Sequence, residues 1–320
     1  MSDLVIFGSL NYDVFNYVDR FPAPGETLQA NDYVTGVGGK GCNQCAMAGI
    51  MIGDKHKVVM AGAVGDDVFG TTILESLKKC NVDTGNVHRR ADVGTGVATI
   101  TVDAHAENNI IIYAGANGSV QPKDAENSRD VIQNTKVLVC QNELPLETTK
   151  QALEMGKAAG VTTVFNPAPA SSDISVEILK LADIVVPNET ETAILLGETG
   201  ANFETDEELE AAAKRLWKLC DGQSTIVMTA GSKGAIIVHK SGNLGSVKPP
   251  ALDSPAVDTS GAGDCFLGAV TAHLATNDIS EESIELATKY GCCAASFSVQ
   301  KRGCQISYPT REQVLSKLDL

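Results

Sequence analysis

Nowhere in these 320 residues does an apolar run approach the roughly 20 that a membrane span requires, so no membrane segment is expected. The first residues, MSDLVIFGSLNYD, lack a basic cluster ahead of an apolar stretch, and no signal peptide is expected. Ser316-Lys317-Leu318 spells a peroxisomal address, but such an address is read only at the terminus, and Asp319 and Leu320 follow it. Positive charge is also scarce: 25 Lys and Arg face 40 Asp and Glu, for a net charge of −15. That balance repels a nucleic-acid backbone and an anionic membrane. Any anionic ligand must be held locally, by backbone N–H groups, a lysine or a metal. The nine cysteines are odd in number and mostly sit among apolar neighbours, which suits reduced, buried thiols rather than a disulfide framework. These absences together lead to the expectation of a soluble cytoplasmic protein. No internal repeat or low-complexity linker interrupts it.

Short apolar runs that end in turn residues and alternate with helical patterns are plentiful. Strands are expected over 4–8, 58–63, 137–141, 163–166, 184–187, 226–229 and 235–239. Helices are expected over 41–52, 68–80, 147–159, 190–196, 206–220, 264–276 and 280–299. Unalternated apolar strands separated by helices predict an α/β fold with a Rossmann-like, mainly parallel sheet covered by helices on both faces. Ligands on such sheets sit beyond the carboxyl ends of the strands. Two segments break the rhythm: 14–36, and 97–114, which reads as two strands around a polar turn at Ala106–Asn109. They are expected to pair into one small β-sheet, a lid on the α/β domain formed by 1–13, 37–96 and 115–320. A sheet with an uncovered apolar face is often covered by a second copy, so a homodimer through the lid is expected.

Three known motifs overlap in Thr35-Gly36-Val37-Gly38-Gly39-Lys40-Gly41-Cys42-Asn43-Gln44-Cys45. GVGGKG fits the dinucleotide fingerprint G-x-G-x-x-G, but it comes some thirty residues after the first strand, and KVVMAGAVG offers no acidic residue until Asp66. A phosphate-binding P-loop needs a hydroxyl residue after its lysine, and Gly41 follows Lys40. Cys42 and Cys45 have no second cysteine pair or nearby histidine to complete a zinc site. What remains is a glycine cluster opening a helix, which lets backbone approach a ligand closely, with Lys40 and Asn43 placed to grip hydroxyls. A second glycine turn, Asp258-Thr259-Ser260-Gly261-Ala262-Gly263-Asp264, leads into another helix. Unpaired N–H groups at a helix start favour an anion, and Asp264 would stand beside any phosphate held there.

These blocks resemble the ribokinase-like carbohydrate kinases, and the resemblance spans nearly the whole chain. It is carried by GSLNYD at 8–13, GGKGCNQ at 38–44, GAVGDD at 62–67, NPAPA at 166–170 and PNETE at 187–191. It continues through TAGSKG at 229–234, DTSGAGD at 258–264 and KRGCQ at 301–305. The resemblance implies ATP-dependent phosphorylation of D-ribose at its 5-hydroxyl. Kinases of 2-deoxyribose, fructose or a nucleoside are the near alternatives, and a catalytically silent sugar or nucleotide sensor is the distant one.

It also implies a set of roles. The sugar would lie against Asn11, Tyr12 and Asp13, then Gly39, Lys40, Gly41, Cys42 and Asn43, with Glu143 holding a further hydroxyl. Asp264 would be the base, beside an anion hole formed by Gly261, Ala262 and Gly263. The nucleotide would lie along Asn188, Thr229, Ala230, Gly231, Ser232, Lys233 and Gly234, beside Gly263 and Asp264. Cys292 would line its base, at a position where the family can carry a larger polar residue. Glu191 would hold Mg²⁺ through water. Asp258, Ser260, Ser298, Lys301, Gly303 and Ser307 would surround an activating K⁺, mostly through carbonyl oxygens.

Overall fold

The computed structural model describes residues 2–105 and 107–319. Its strands are β1 (Leu4–Phe7), β2 (Asn11–Tyr17), β3 (Asp32–Gly38), β4 (Val58–Gly65), β5 (Val82–Arg90), β6 (Gly96–Val102) and β7 (Asn108–Tyr113). They continue with β8 (Val137–Gln141), β9 (Thr162–Asn166), β10 (Ile184–Val185), β11 (Thr225–Thr229), β12 (Ala235–Val238) and β13 (Leu244–Val247). A 9-stranded sheet runs β13-β12-β11-β10-β9-β8-β1-β4-β5. All neighbouring pairs from β11 to β5 are parallel; β12 pairs antiparallel with both β11 and β13.

The expected cover on both faces is borne out, and strand alternation shows why. Leu4 and Ile6 point into one apolar cluster, with Cys45 and Met47 of the Lys40–Ile52 helix and Leu267 and Val270 of the Ala262–Thr276 helix. Val5 and Phe7 point into the other, with Leu153 of the Leu146–Ala158 helix and Leu209 and Leu216 of the Asp206–Leu219 helix. A residue-by-residue switch of faces is what a period of two imposes on a strand with no solvent face.

The second sheet has 4 strands in the order β3-β2-β6-β7. β2 pairs antiparallel with β3 and parallel with β6, and β6 pairs antiparallel with β7. The two interrupting segments therefore do pair, and the sheet reaches back to Asn11 and forward to Gly38. Asn11 and Asp13 thus belong to the small sheet rather than to the end of the first strand. Of the turn expected at Ala106–Asn109, Ala106 lies outside the described residues. On either side of it, the N–H groups of His105 and Glu107 donate to the Asp103 side chain.

Some elements are absent from the sequence reading. β5 and β13 are edge strands with polar, half-exposed sequences (VDTGNVHRR and LGSV), and β5 faces a register shift between Val59 and Ala61. The short helices Pro122–Asn127, Arg129–Gln133, Val176–Leu181 and Arg311–Lys317 cover too few turns for apolar periodicity to register.

Candidate active site

The loop after β1 carries Ser9, and the loop after β8 carries Glu143. Ser9 Oγ donates to Glu143 Oε2 at 2.5 Å, and the Lys40 N–H donates to the same oxygen at 2.9 Å. Ser9 Oγ in turn accepts the Gly41 N–H at 3.2 Å, so the start of the Lys40–Ile52 helix is tied to the ends of two core strands. Gly39 makes the entry feasible. Its φ is +86°, and a Cβ there would stand 2.8 Å from the Asn11 backbone nitrogen.

β2 alternation sends Asn11 and Asp13 to one face and Tyr12 to the other. Asn11 Oδ1 accepts Asn117 Nδ2 at 2.8 Å, while Asn117 Oδ1 accepts the Leu10 N–H at 2.9 Å. The Tyr12 ring stacks on Phe69, with centroids 4.4 Å apart, and its hydroxyl donates to Thr35 Oγ1. The structure therefore does not bring the Tyr12 side chain to the carboxylates. Cys42 is wholly buried and its thiol is pushed up by burial, so only its backbone can face a ligand.

Burial raises the Asp13 carboxyl from 3.8 to about 7, and the neighbouring charges of Glu143 and Asp264 add to the shift. For Lys40, burial pulls the ammonium down, but Asp264, Glu143 and Glu191 outweigh it and the net direction is upward. Three acidic groups around one lysine form a pocket rich in hydroxyl acceptors, with one fixed cation. Because the Asp13 pKa is raised on folding, the unliganded fold loses stability as pH climbs from about 4 to about 7, and is level above that. A hydroxyl donor prefers the ionised carboxylate. We therefore expect affinity for a hydroxylated ligand to rise as pH climbs through about 7, and Asp13→Asn to flatten that slope in a calorimetric titration.

Across the cavity, Gly261 caps the Ala262–Thr276 helix with φ +71° and no side-chain cap. A Cβ on Gly261 would stand 2.1 Å from Cys304 Sγ, whereas one on Gly263 would meet nothing within 4 Å. Gly263 therefore faces open space. The Ala262 N–H is turned onto Thr259 O at 3.2 Å; among the described residues Gly261, Gly263 and Asp264 have no backbone acceptor for theirs. Of the expected trio, Gly261 and Gly263 thus keep an N–H without a backbone acceptor, Ala262 does not, and the Asp264 N–H joins them. The Asp264 carboxylate, only 7% exposed, accepts Asn43 Nδ2 at 3.0 Å on Oδ2 and Gln44 Nε2 at 2.9 Å on Oδ1.

Beyond Gly263 opens a cleft of about 510 Å³, mostly apolar, lined by Thr229, Gly231, Ser232, Gly234 and Cys292 among the expected residues. Phe266, Leu252, Pro249 and Val299 supply its other walls. Lys233 does not join them, because its ammonium donates to the Phe203 and Glu204 carbonyls. Ala230 is buried, and its N–H is spent on Gly234 O. Asn188 and Glu191 form a reciprocal cap on the Glu189–Leu195 helix, each side chain accepting the other's N–H at 2.8 Å. Burial raises the Glu191 carboxyl, and the Asn188 N–H and Lys40 oppose the shift.

Next to this glycine turn, Asp258 braces two loops by accepting Ser260 N–H at 2.9 Å and Gly303 N–H at 2.8 Å. Burial alone would raise its carboxyl; these two bonds bring the net shift down. Ser298 and Ser307 donate their hydroxyls to Ala295 O and Cys304 O, and Lys301 is exposed. Among the described residues no group of three or more His, Cys, Asp or Glu is arranged to hold a metal.

Gln44, Ser9, Asn117 and Gln305 were not singled out in the sequence. The last donates to Asn43 Oδ1 at 2.9 Å. Gln44 stands next to Asn43 in the glycine block, but only the fold reveals a glutamine with no exposed surface.

The profile of the pfkB family carbohydrate kinases matches residues 1–311. A ribokinase of Staphylococcus aureus is 37% identical over 312 residues, covering 97% of this chain and 98% of its own. A deoxyribokinase of Salmonella typhi is 36% identical over 318 residues, covering 99% of each. The solved structure of an Arabidopsis thaliana ribokinase complexed with ribose and ATP superposes with a TM-score of 0.89, at 29% identity and with 100% of both chains covered. The chain belongs to the pfkB family of carbohydrate kinases.

Proposed function

We propose that this protein transfers the γ-phosphoryl group of ATP to the 5-hydroxyl of D-ribose, giving ribose 5-phosphate and ADP. The observation that carries the reading is the position of Asp264. It is a carboxylate in the first turn of a helix whose Gly263 N–H is free, between a pocket of hydroxyl acceptors and an apolar cleft. Asn11, Asp13, Lys40, Asn43 and Glu143 hold the sugar hydroxyls. Sites built around particular hydroxyls reject analogues that lack them, because their own buried polar groups are then left unpaired. The cleft takes the nucleotide, with Cys292 against the base and the turn at Gly231–Lys233 beside the ribose and phosphates.

In the transfer, the bond from O5 to the γ-phosphorus forms as the bond from that phosphorus to the β,γ-bridging oxygen breaks, and ADP leaves. The O5 proton passes to the Asp264 carboxylate. A weakly basic carboxylate suffices because in a loose transition state the proton departs late. Free N–H groups at Gly261, Gly263 and Asp264 stabilise charge on the transferring oxygens.

A Mg²⁺ bound mainly by nucleotide phosphates and water, with Glu191 as its protein anchor, fits and would neutralise phosphate charge. Carbonyl and hydroxyl oxygens around Asp258, Ser260, Ser298, Lys301, Gly303 and Ser307 suit K⁺, which would steady the anion-hole loop. All nine cysteines are free, which favours a reducing cytoplasm.

The small sheet, as 14–36 and 97–114, acts as a lid over the sugar. On β7, Ile110, Ile111, Ile112 and Tyr113 are all exposed, Ile111 at 73%, and so are Tyr33 and Val34 of β3 at the opposite edge. Such a surface fits a homodimer through the lid, and Ile111→Asp should convert a dimer into a monomer in sedimentation velocity. The Salmonella relative makes 2-deoxyribose the second reading. ADP release with D-ribose set beside 2-deoxyribose, fructose and adenosine tests the proposal.

A further inference from the structure

We infer that Gln44 is a positioning residue for the phosphoryl-transfer step. It holds the carboxylate of Asp264 in its reactive orientation through a chain of buried amides anchored on the main chain. The inference rests on the reading of Asp264 as the base.

The chain begins at the carbonyl of Val186, which accepts Asn166 Nδ2 at 2.7 Å. A carbonyl can only accept, so Asn166 must turn its own oxygen the other way, and Oδ1 accepts Gln44 Nε2 at 3.1 Å. The same nitrogen donates its second hydrogen to Asp264 Oδ1 at 2.9 Å. With an acceptor at each end, the Gln44 amide has one workable orientation. Its Oε1 then faces Gln141 Nε2 at 2.7 Å, and Gln141 Oε1 is left buried without a partner. Turning Gln141 over would not satisfy that oxygen, because it would set it against the oxygen of Gln44 and lose the existing bond. The orphan is the cost of fixing the polarity of the chain toward Asp264. There is no slack to swing out either. Gln44 is 0% exposed and Gln141 1%, and a Cβ on Gly8 would lie 2.0 Å from Gln141 Oε1.

The two donors on Asp264 differ in what else they must do. Asn43 also accepts from Gln305 and lies among the groups assigned to the sugar, so its bond to Oδ2 can be exchanged for a sugar hydroxyl. Gln44 is walled off from the ligand and keeps Oδ1 throughout. That leaves Oδ2 as the atom that receives the O5 proton.

Gln44→Met, which keeps the length and loses both donors, should lower kcat by about 10- to 100-fold, with sugar and ATP KM values within threefold of wild type. Gln44→Glu, the same shape with an acceptor facing Asp264, should lose more at neutral pH. It should also regain kcat as the pH is lowered and the new carboxyl takes up a donor proton, a gain that wild type, with no carboxyl at this position, does not show. A purely structural role would not add such a pH-dependent recovery. Should Gln44→Met fail to fold, Asn166→Ala removes the anchor alone and should cut kcat several-fold at unchanged KM. The inference is overturned by near-wild-type kcat in the folded variant, by loss confined to KM, or by a Gln44→Glu profile parallel to wild type. Asp264→Asn run alongside separates the two levels: an active Asp264→Asn defeats the reading of the base, whereas an inactive one beside a normal Gln44→Met defeats only this inference.

Discussion

Asp264→Asn is expected to lower kcat by about 10²- to 10⁴-fold, the usual range for losing a positioned general base, while ribose still binds. The substitution changes almost no volume, but it reverses the hydrogen-bond logic of the site. The carboxylate is a pure acceptor between two amide donors, Asn43 Nδ2 and Gln44 Nε2. An asparagine offers one acceptor and one donor, so one neighbour must turn away or go unpaired. The proton of the attacking hydroxyl then has no acceptor at hand. Steady-state kinetics paired with ribose calorimetry reads both halves: turnover collapses, and the heat of sugar binding remains. Retained turnover would remove Asp264 from the mechanism. Lost turnover together with lost binding would make the residue a sugar ligand rather than a base.

Gly261→Ala should have the second largest effect, a fall in kcat of about 10²-fold, as for loss of an oxyanion-hole donor. Two separable penalties converge there. One is the left-handed backbone at φ +71°, which costs a residue with a Cβ about 1–2 kcal/mol. The other is the collision 2.1 Å from Cys304 Sγ. The helix start can relieve both only by moving, and moving it misaims the Gly263 N–H. Adding Cys304→Gly removes the collision and leaves the backbone penalty, so the double variant should recover part of the lost kcat. No recovery at all would mean that packing beneath the loop does not set the aim of its N–H groups.

The core was the legible part of this chain. Strands such as β8, apolar from Val137 to Cys140, read so because both of their faces are covered, and this pattern survives without tertiary information. Glycine turns ahead of helices mark both sides of the candidate site for a similar reason: they report a local backbone need. Edge strand β5 escaped because half-exposed polar residues carry no such signature. The side chains of Tyr12 and Lys233 are a different case. Each lies in a correct block, but strand alternation sends Tyr12 onto Phe69, and the Phe203 and Glu204 carbonyls draw off Lys233. Gln44 and Gln141 show the limit from the other side. Their importance lies in which groups they face across the sheet, and no spacing in the sequence records that.

The most direct test of the whole account is the rate of ADP release by the purified protein with ATP and Mg²⁺. D-ribose, 2-deoxyribose, fructose and adenosine are compared as acceptors, in K⁺ and again in Na⁺. The account predicts the highest kcat/KM with D-ribose, phosphorylation at its 5-hydroxyl, and faster turnover in K⁺ than in Na⁺. A higher kcat/KM with adenosine or 2-deoxyribose than with ribose would contradict it.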